Sequence, residues 1–175
     1  MILVELPLAT SLFRAHTPCW ASQPLSGAGA ALRGGRFNRE GMAALYLSLD
    51  ELTALREYQQ TSAFLPPATL CTYSASLGAL VDLRLLQQGP HWDELWHDWR
   101  EDWRHLRFEL HIEPPTWVLA DLVRAHGHCG ILFPSLVQPG GTNVVLYPDL
   151  LGERQSLRVL DPDGRLPRDQ SSWTP

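Results

Sequence analysis

Lysine does not occur in this sequence: all 14 basic side chains among its 175 residues are arginine. That absence excludes a Schiff-base lysine, a P-loop lysine and a lysine general base. Any anion gripped by side-chain charge must be gripped by arginine, whose planar fork suits phosphate. A basic field is missing as well, because 19 acidic residues leave a formal net charge of −5. Such a charge argues against nucleic-acid binding through phosphate neutralisation. No apolar run approaches the roughly 18 residues of a membrane span. The opening MILVELPLATSLFRAH has no basic segment ahead of its apolar part, so it does not read as a signal peptide. Cys19, Cys71 and Cys129 are odd in number and widely spaced, the pattern of reduced thiols, and a cytoplasmic location is expected. Dinucleotide-binding G-x-G-x-x-G, P-loop and G-x-S-x-G motifs are all missing.

What is present reads as one globular domain. Apolar residues make up 45% and charged residues 19%, enough to build a core at this length without disulfides or metals. The domain is expected over residues 1–160, followed by a polar Pro/Gly/Asp-rich tail, Asp161–Pro175. Ser11–Ala15 reads as a strand, Thr17–Gly29 as a long loop, and RGGRFN (33–38) as a glycine turn entering a short strand. Met42–Leu47 is strand-like. Ser48 with Glu51 three residues on predicts a capping box, opening a helix to about Gln60 with Leu52, Leu55 and Tyr58 on its apolar face. Thr69–Ala75 alternates like a strand.

Trp92, Leu95, Trp96, Trp99, Trp103 and Leu106 recur with helical spacing and predict an amphipathic helix with its tryptophans in the core. Another amphipathic helix is expected over Trp117–Ala125, and strands over Gly130–Pro134 and Asn143–Tyr147 on either side of a Pro-Gly-Gly turn. Five to seven strands and at least three helices in irregular order predict an α+β domain with a mixed or antiparallel sheet and flanking helices.

Few local patterns suggest chemistry. His126-x-His128-Cys129 lies at a helix end without a second ligand cluster, so no metal is expected. The RGGRFN turn is more specific. Its glycines, Gly35 included, allow backbone to approach a ligand, and its amides could form an anion-binding nest flanked by arginines. Tyr46 follows Arg36 by ten residues, and Glu57 follows on the capped helix.

LFRAH, RGGRFN, ALYLS and LTALREY, followed by ILFPS and NVVLYP, together resemble the RES-domain family, in the family's order and over about Leu12 to Leu150. The resemblance implies a fold similar to ADP-ribosyltransferase toxins and a toxin of a bacterial type II toxin–antitoxin pair. The implied partners are an Xre-type antitoxin and a second copy of the chain. The implied substrate is NAD, cleaved at its nicotinamide–ribose bond by hydrolysis or phosphorolysis, or used to ADP-ribosylate a protein. On this footing Glu57, Arg36, Tyr46 and Ser135 are the candidate catalytic residues. Arg14, Arg36, Gly35, Asn38, Tyr46 and Asn143 are the candidate NAD contacts. Glu57 would stabilise positive charge on the ribose, Tyr46 would stack on nicotinamide, and Arg36 and Arg14 would hold the pyrophosphate.

Overall fold

A computed structural model describes residues 1–88 and 92–173. Eight strands form one mixed sheet: β1 Leu3–Val4, β2 Thr10–His16, β3 Leu45–Ser48, β4 Thr69–Ser76, β5 Leu80–Asp82, β6 Gly130–Pro134, β7 Thr142–Leu146 and β8 Ser156–Val159. Their order across the sheet is β1-β5-β6-β7-β3-β2-β4-β8. Only β5 and β6 run parallel; every other neighbouring pair is antiparallel. The α+β reading therefore holds, with three short strands (β1, β5 and β8) that sequence alone did not resolve. Each has at most four residues, too few for periodicity to register.

One junction in the sheet differs from the rest. β2 pairs with β4 along all seven of its residues, yet meets β3 only at Phe13 and Ser48. Beyond that point β2 and β3 diverge, leaving Arg14, Ala15, Tyr46 and Leu47 on the walls of a gap rather than in a ladder. On β3, Leu45, Leu47 and Ser48 are buried while Tyr46 turns toward the gap.

Helix α1 (Ala28–Arg33) occupies the end of the segment expected as a loop, and α2 spans Glu51–Gln59. The N-cap of α2 is Asp50 rather than Ser48. Its carboxylate accepts from Thr53 N at 2.8 Å and Thr53 Oγ1 at 2.7 Å, satisfying one of the orphan donors of the first turn. Ser48 lies inside β3 and is buried. The inward face of α2 carries Thr53 and Ala54, whereas Leu52 is exposed, because the α2 face must fit both the sheet and a close-passing turn. Gly141 of that turn has no room for a side chain; a Cβ there would collide with Thr53 Oγ1.

The tryptophan stretch is not one α-helix. Glu94–Arg100 is a 3-10 helix, the chain turns extended at Glu101, and His105–Glu109 forms a π turn. Trp96, Trp99 and Trp103 are nonetheless buried, as expected. The spacing of three between Trp96 and Trp99 aligns both rings on one edge of a 3-10 helix. Asp102 restarts the backbone by accepting from Arg104 N and His105 N at 3.0 and 3.2 Å. Helix α3 (Pro115–Ala125) buries Trp117, Leu119, Ala120 and Val123. RGGRFN enters no strand; it closes on itself through a single bridge between Gly35 and Asn38.

Two clusters make the core. One holds Phe37, Trp96, Trp99, Leu119, Ile131, Phe133 and Tyr147. The other holds Leu12, Leu47, Tyr73, Leu80, Leu132 and Val144. Leu166, from the segment expected as a tail, packs against the second. Asp161 caps that segment's turn through Arg165 N and Leu166 N. The last two residues of the expected tail lie outside the described residues.

Candidate active site

The gap between β2 and β3 opens into two adjoining hollows of about 240 and 410 Å³. Arg14, Tyr46, Glu57, Gln60 and Phe133 line both, so they form one cleft large enough for a small-molecule ligand.

Glu57 reaches the cleft from the inward side of α2. Its Oε1 accepts from Ser135 Oγ at 2.7 Å and from Asn143 Nδ2 at 2.5 Å. Ser48 Oγ in turn donates to Asn143 Oδ1 at 2.8 Å. The buried β3 serine and β7 asparagine, with the half-buried turn serine, thus fix one carboxylate oxygen. Among the described residues nothing hydrogen-bonds Oε2. The turn is itself held: Ser135 Oγ accepts from Val137 N and Gln138 N, and Ser135 N donates to Gly141 O.

Tyr46 is anchored by its hydroxyl and open along its ring. The hydroxyl donates to Asn38 Oδ1 at 2.8 Å and accepts from Phe37 N at 2.9 Å. Burial pushes this phenol well above its ordinary pKa, with the Phe37 amide and the arginines opposing, so it stays protonated. Gly35 is required here. A Cβ would sit 2.5 Å from both Asn38 Oδ1 and the Tyr46 hydroxyl. Trp117 Nε1 holds the Gly35 carbonyl at 2.8 Å.

The RGGRFN turn uses all but one of its amides from Gly34 to Asn38, leaving no two successive ones free. Gly34 N bonds Ala30 O, Gly35 N bonds Asn38 O, Asn38 N bonds Gly35 O and Phe37 N bonds Tyr46. The expected nest of anion-binding amides is therefore not formed. Asn38 is fully buried and donates to the carbonyls of Ala30, Arg39 and Met42. With its oxygen on Tyr46 it has no group left for a ligand. Asn38 organises the turn from behind and lines neither hollow, whereas Gly35 lines the larger one.

Arg36 and Arg14 stand on different walls. Arg36 Nη1 donates to the carbonyls of Trp99 and Glu101, both at 2.8 Å, satisfying the open end of the 3-10 helix. Arg36 also lines the larger hollow of the cleft. Arg14, on β2, donates to Ser26 O at 3.3 Å. Burial lowers the pKa of both; nearby Tyr73 offsets it for Arg14, and Tyr46, Asp102 and Glu57 offset it for Arg36.

The structure adds residues that sequence reasoning passed over. Gln60, at φ +48°, ends α2 at the cleft mouth. Arg104 lines the cleft with its guanidinium 4.8 Å over the Trp103 ring. An amphipathic helix over this stretch would put Arg104 on its solvent side, away from any cleft. Its position five residues past a buried tryptophan offered no signal, because the helix assumed there does not exist. Among the described residues no group of three metal-ligating side chains occurs, and no helix is long and apolar enough to cross a membrane.

Against known families, the RES domain model matches residues 11–169. None of the curated proteins matches the chain. Among solved structures, the fold is similar to a chain in the crystal structure of the M. tuberculosis MbcT–MbcA toxin–antitoxin complex. The TM-score is 0.60 and the identity 16%, over 91% of this chain and 84% of that one.

Proposed function

The chain belongs to the RES-domain family, and from that premise we propose that it is a toxin enzyme that cleaves the nicotinamide–ribose bond of NAD. The observation that carries the reading is the Glu57 carboxylate, tethered through one oxygen to Ser135 and Asn143 at the wall of a cleft shared with the Tyr46 ring and three arginines, Arg14, Arg36 and Arg104. Cleavage breaks the bond between ribose C1′ and the pyridinium nitrogen, whose electron pair leaves with neutral nicotinamide. Water, phosphate or an acceptor protein then bonds to C1′ and gives up a proton. Positive charge develops on the ribose in between. A fixed carboxylate stabilises that charge without reorganising, while Tyr46 offers nicotinamide a face. Arg14 and Arg36 grip the pyrophosphate, the only cationic means open to a chain without lysine.

A protein antitoxin is the proposed partner. The cleft mouth carries exposed Leu136 and Val137, with Leu32 and Phe108 on the adjoining hollow, apolar surface that a covering protein would bury. The neighbour's crystal is of a toxin–antitoxin complex. An Xre-type antitoxin and a dimeric assembly complete the proposal.

Purified protein incubated with NAD is expected to release nicotinamide, and Glu57→Gln to slow that release by about a hundredfold or more while leaving the melting temperature near wild type. No release from wild type, with or without phosphate, sinks the reading. Labelled adenylate that stays attached to protein, rather than appearing free, assigns the acceptor as macromolecular.

A further inference from the structure

A separate hollow of about 170 Å³ lies between the turn that follows β5 and the 3-10 helix Glu94–Arg100. None of its lining residues lines either hollow of the cleft. Arg84 and Gln87 come from the turn, His97 and Arg100 from the 3-10 helix, and Trp99 and Pro134 contribute wall. Among the described residues no carboxylate lines it, in a chain whose 19 acidic side chains outnumber its 14 basic ones. Glu94 and Asp98, on the same 3-10 helix as His97, stay out of the wall.

Its cations are held in place by groups that stand behind them. Buried Asp82 accepts from Arg84 N and Nε at 3.0 and 2.8 Å, and from Arg84 Nη2 at 2.6 Å. Arg84 Nη1 has no hydrogen bond among the described residues. The Arg100 guanidinium stands 5.2 Å over the ring of Trp99, a rigid shelf because that ring belongs to the core. His97 precedes Arg100 by three residues, and residues three apart eclipse in a 3-10 helix. The two side chains therefore share one edge of the helix, while Trp96 and Trp99 share another. Elsewhere arginines that reach another element are neutralised there: Arg39 by Glu113 and Asp121, Arg107 by Glu40 and Arg124 by Asp149. Arg100 makes no ion pair among the described residues.

We propose that this hollow binds a phosphate group, held between Arg100, Arg84 Nη1 and the His97 ring. Guanidinium forks match the oxygens of a tetrahedral oxyanion, and each such contact is charge-assisted. Size sets the ligand class. A volume of 170 Å³ equals about five waters at ~30 Å³ each, below the ~300 Å³ at which sites for larger organic ligands begin. The hollow thus admits a phosphate group and not a nucleotide, so the group is either the free ion or the end of a monoester whose remainder stays in solvent. Its place in the fold gives binding a structural consequence. Trp99 O is one of the two carbonyls that hold Arg36, and Pro134 directly precedes Ser135, which donates to Glu57. A phosphate seated here fastens the tryptophan wall to the turn after β5 without touching the cleft. This site is independent of the NAD reading.

The test reads the site itself. Inorganic phosphate is titrated into the full chain at constant ionic strength and pH, and the His97 ring resonances, assigned by their loss in His97→Gln, are followed by NMR. A saturable shift with a midpoint of about 1 mM or below is expected, and chloride should not reproduce it. Arg100→Gln, at an exposed position without an ion pair, is expected to weaken binding by about tenfold or more. Arg84 is left intact, because its removal would strand the buried Asp82 carboxylate. Phosphate should also raise the melting temperature of wild type more than that of Arg100→Gln. Glycerol phosphate binding at least as tightly as the free ion assigns a monoester; weaker binding assigns inorganic phosphate. No His97 shift at about 20 mM phosphate overturns the site. So does the same midpoint in wild type and Arg100→Gln, an equal shift with chloride, or an equal rise in melting temperature. Phosphate that acts only in the cleft leaves His97 unmoved and counts against the site, whether or not the chain releases nicotinamide from NAD.

Discussion

The two walls of the cleft are built by different means. On the sheet wall, Arg14, Tyr46 and Asn143 stand on strands, and Glu57 stands on a helix capped by Asp50. The polar groups there form closed networks: Ser48 to Asn143 to Glu57, and Phe37 to Tyr46 to Asn38. The opposite wall is the tryptophan segment, whose backbone changes from 3-10 to extended to π within 16 residues. It is held by ring packing and by Arg36 on its carbonyls, and its own Arg104 makes no ion pair among the described residues. A reacting group needs placement to a fraction of an ångström, which hydrogen-bonded ladders provide. A wall that only needs to cover substrate and supply charge tolerates irregular backbone if its anchors are deep.

That contrast is broken most severely through the anchors. Trp99 is 1% exposed, with its ring 6.2 Å from Phe133. Trp99→Ala is expected to cost about 3–5 kcal/mol of unfolding free energy, the range for emptying a buried aromatic site, read from the urea midpoint. A cost under about 1 kcal/mol would mean that the segment is an appendage to the core rather than part of it.

The sheet wall has its own weakness, in acid. His16 on β2 is desolvated by burial beside Arg14, which gives it a folded pKa of about 4 against about 6.5 in the unfolded chain. Between those values the unfolded chain binds more protons, so stability rises with pH across the window. The contribution is complete above about pH 6.5 and lost as pH falls to about 4. It amounts to as much as about 3 kcal/mol. The stability gap between wild type and His16→Gln should therefore narrow steadily from pH 7 to pH 4. A gap independent of pH would disprove the protonation argument.

Legibility in the sequence follows the same division. β2, β4, β6 and β7 were readable because alternation or an apolar run survives where strands lie in the ladder. Arg36, Tyr46, Glu57, Ser135, Arg14 and Asn143 were picked out, and all six line the cleft or tether Glu57. What stayed hidden was set by tertiary contacts. Asp50 outcompetes Ser48 as cap because Ser48 is committed to Asn143 inside the sheet. The tryptophan periodicity correctly announced a buried stripe. It could not announce the break at Glu101, which depends on a guanidinium 65 residues away in sequence. Asn38 is an NAD contact only by the family resemblance, and no local pattern announces that in the fold it is the buried hub of its turn.

The smallest change asks whether the sheet wall's network matters for chemistry or only for packing. Ser48 Oγ is buried, and its one partner is Asn143 Oδ1. Ser48→Ala removes that donor and strands a buried acceptor, at about 1–2 kcal/mol of stability. Asn143 then has a hydrogen bond on only one side, so its amide is free to rotate away from Glu57 Oε1. If placement of that carboxylate limits the reaction, kcat for NAD should fall by a few-fold to tenfold while KM stays within twofold, since Ser48 is 2% exposed and spends its hydroxyl on Asn143. Ser48→Thr, which keeps the hydroxyl, should restore kcat. A loss of stability with unchanged kcat would show that Ser135 alone holds Glu57, and that the β3–β7 half of the network serves the sheet.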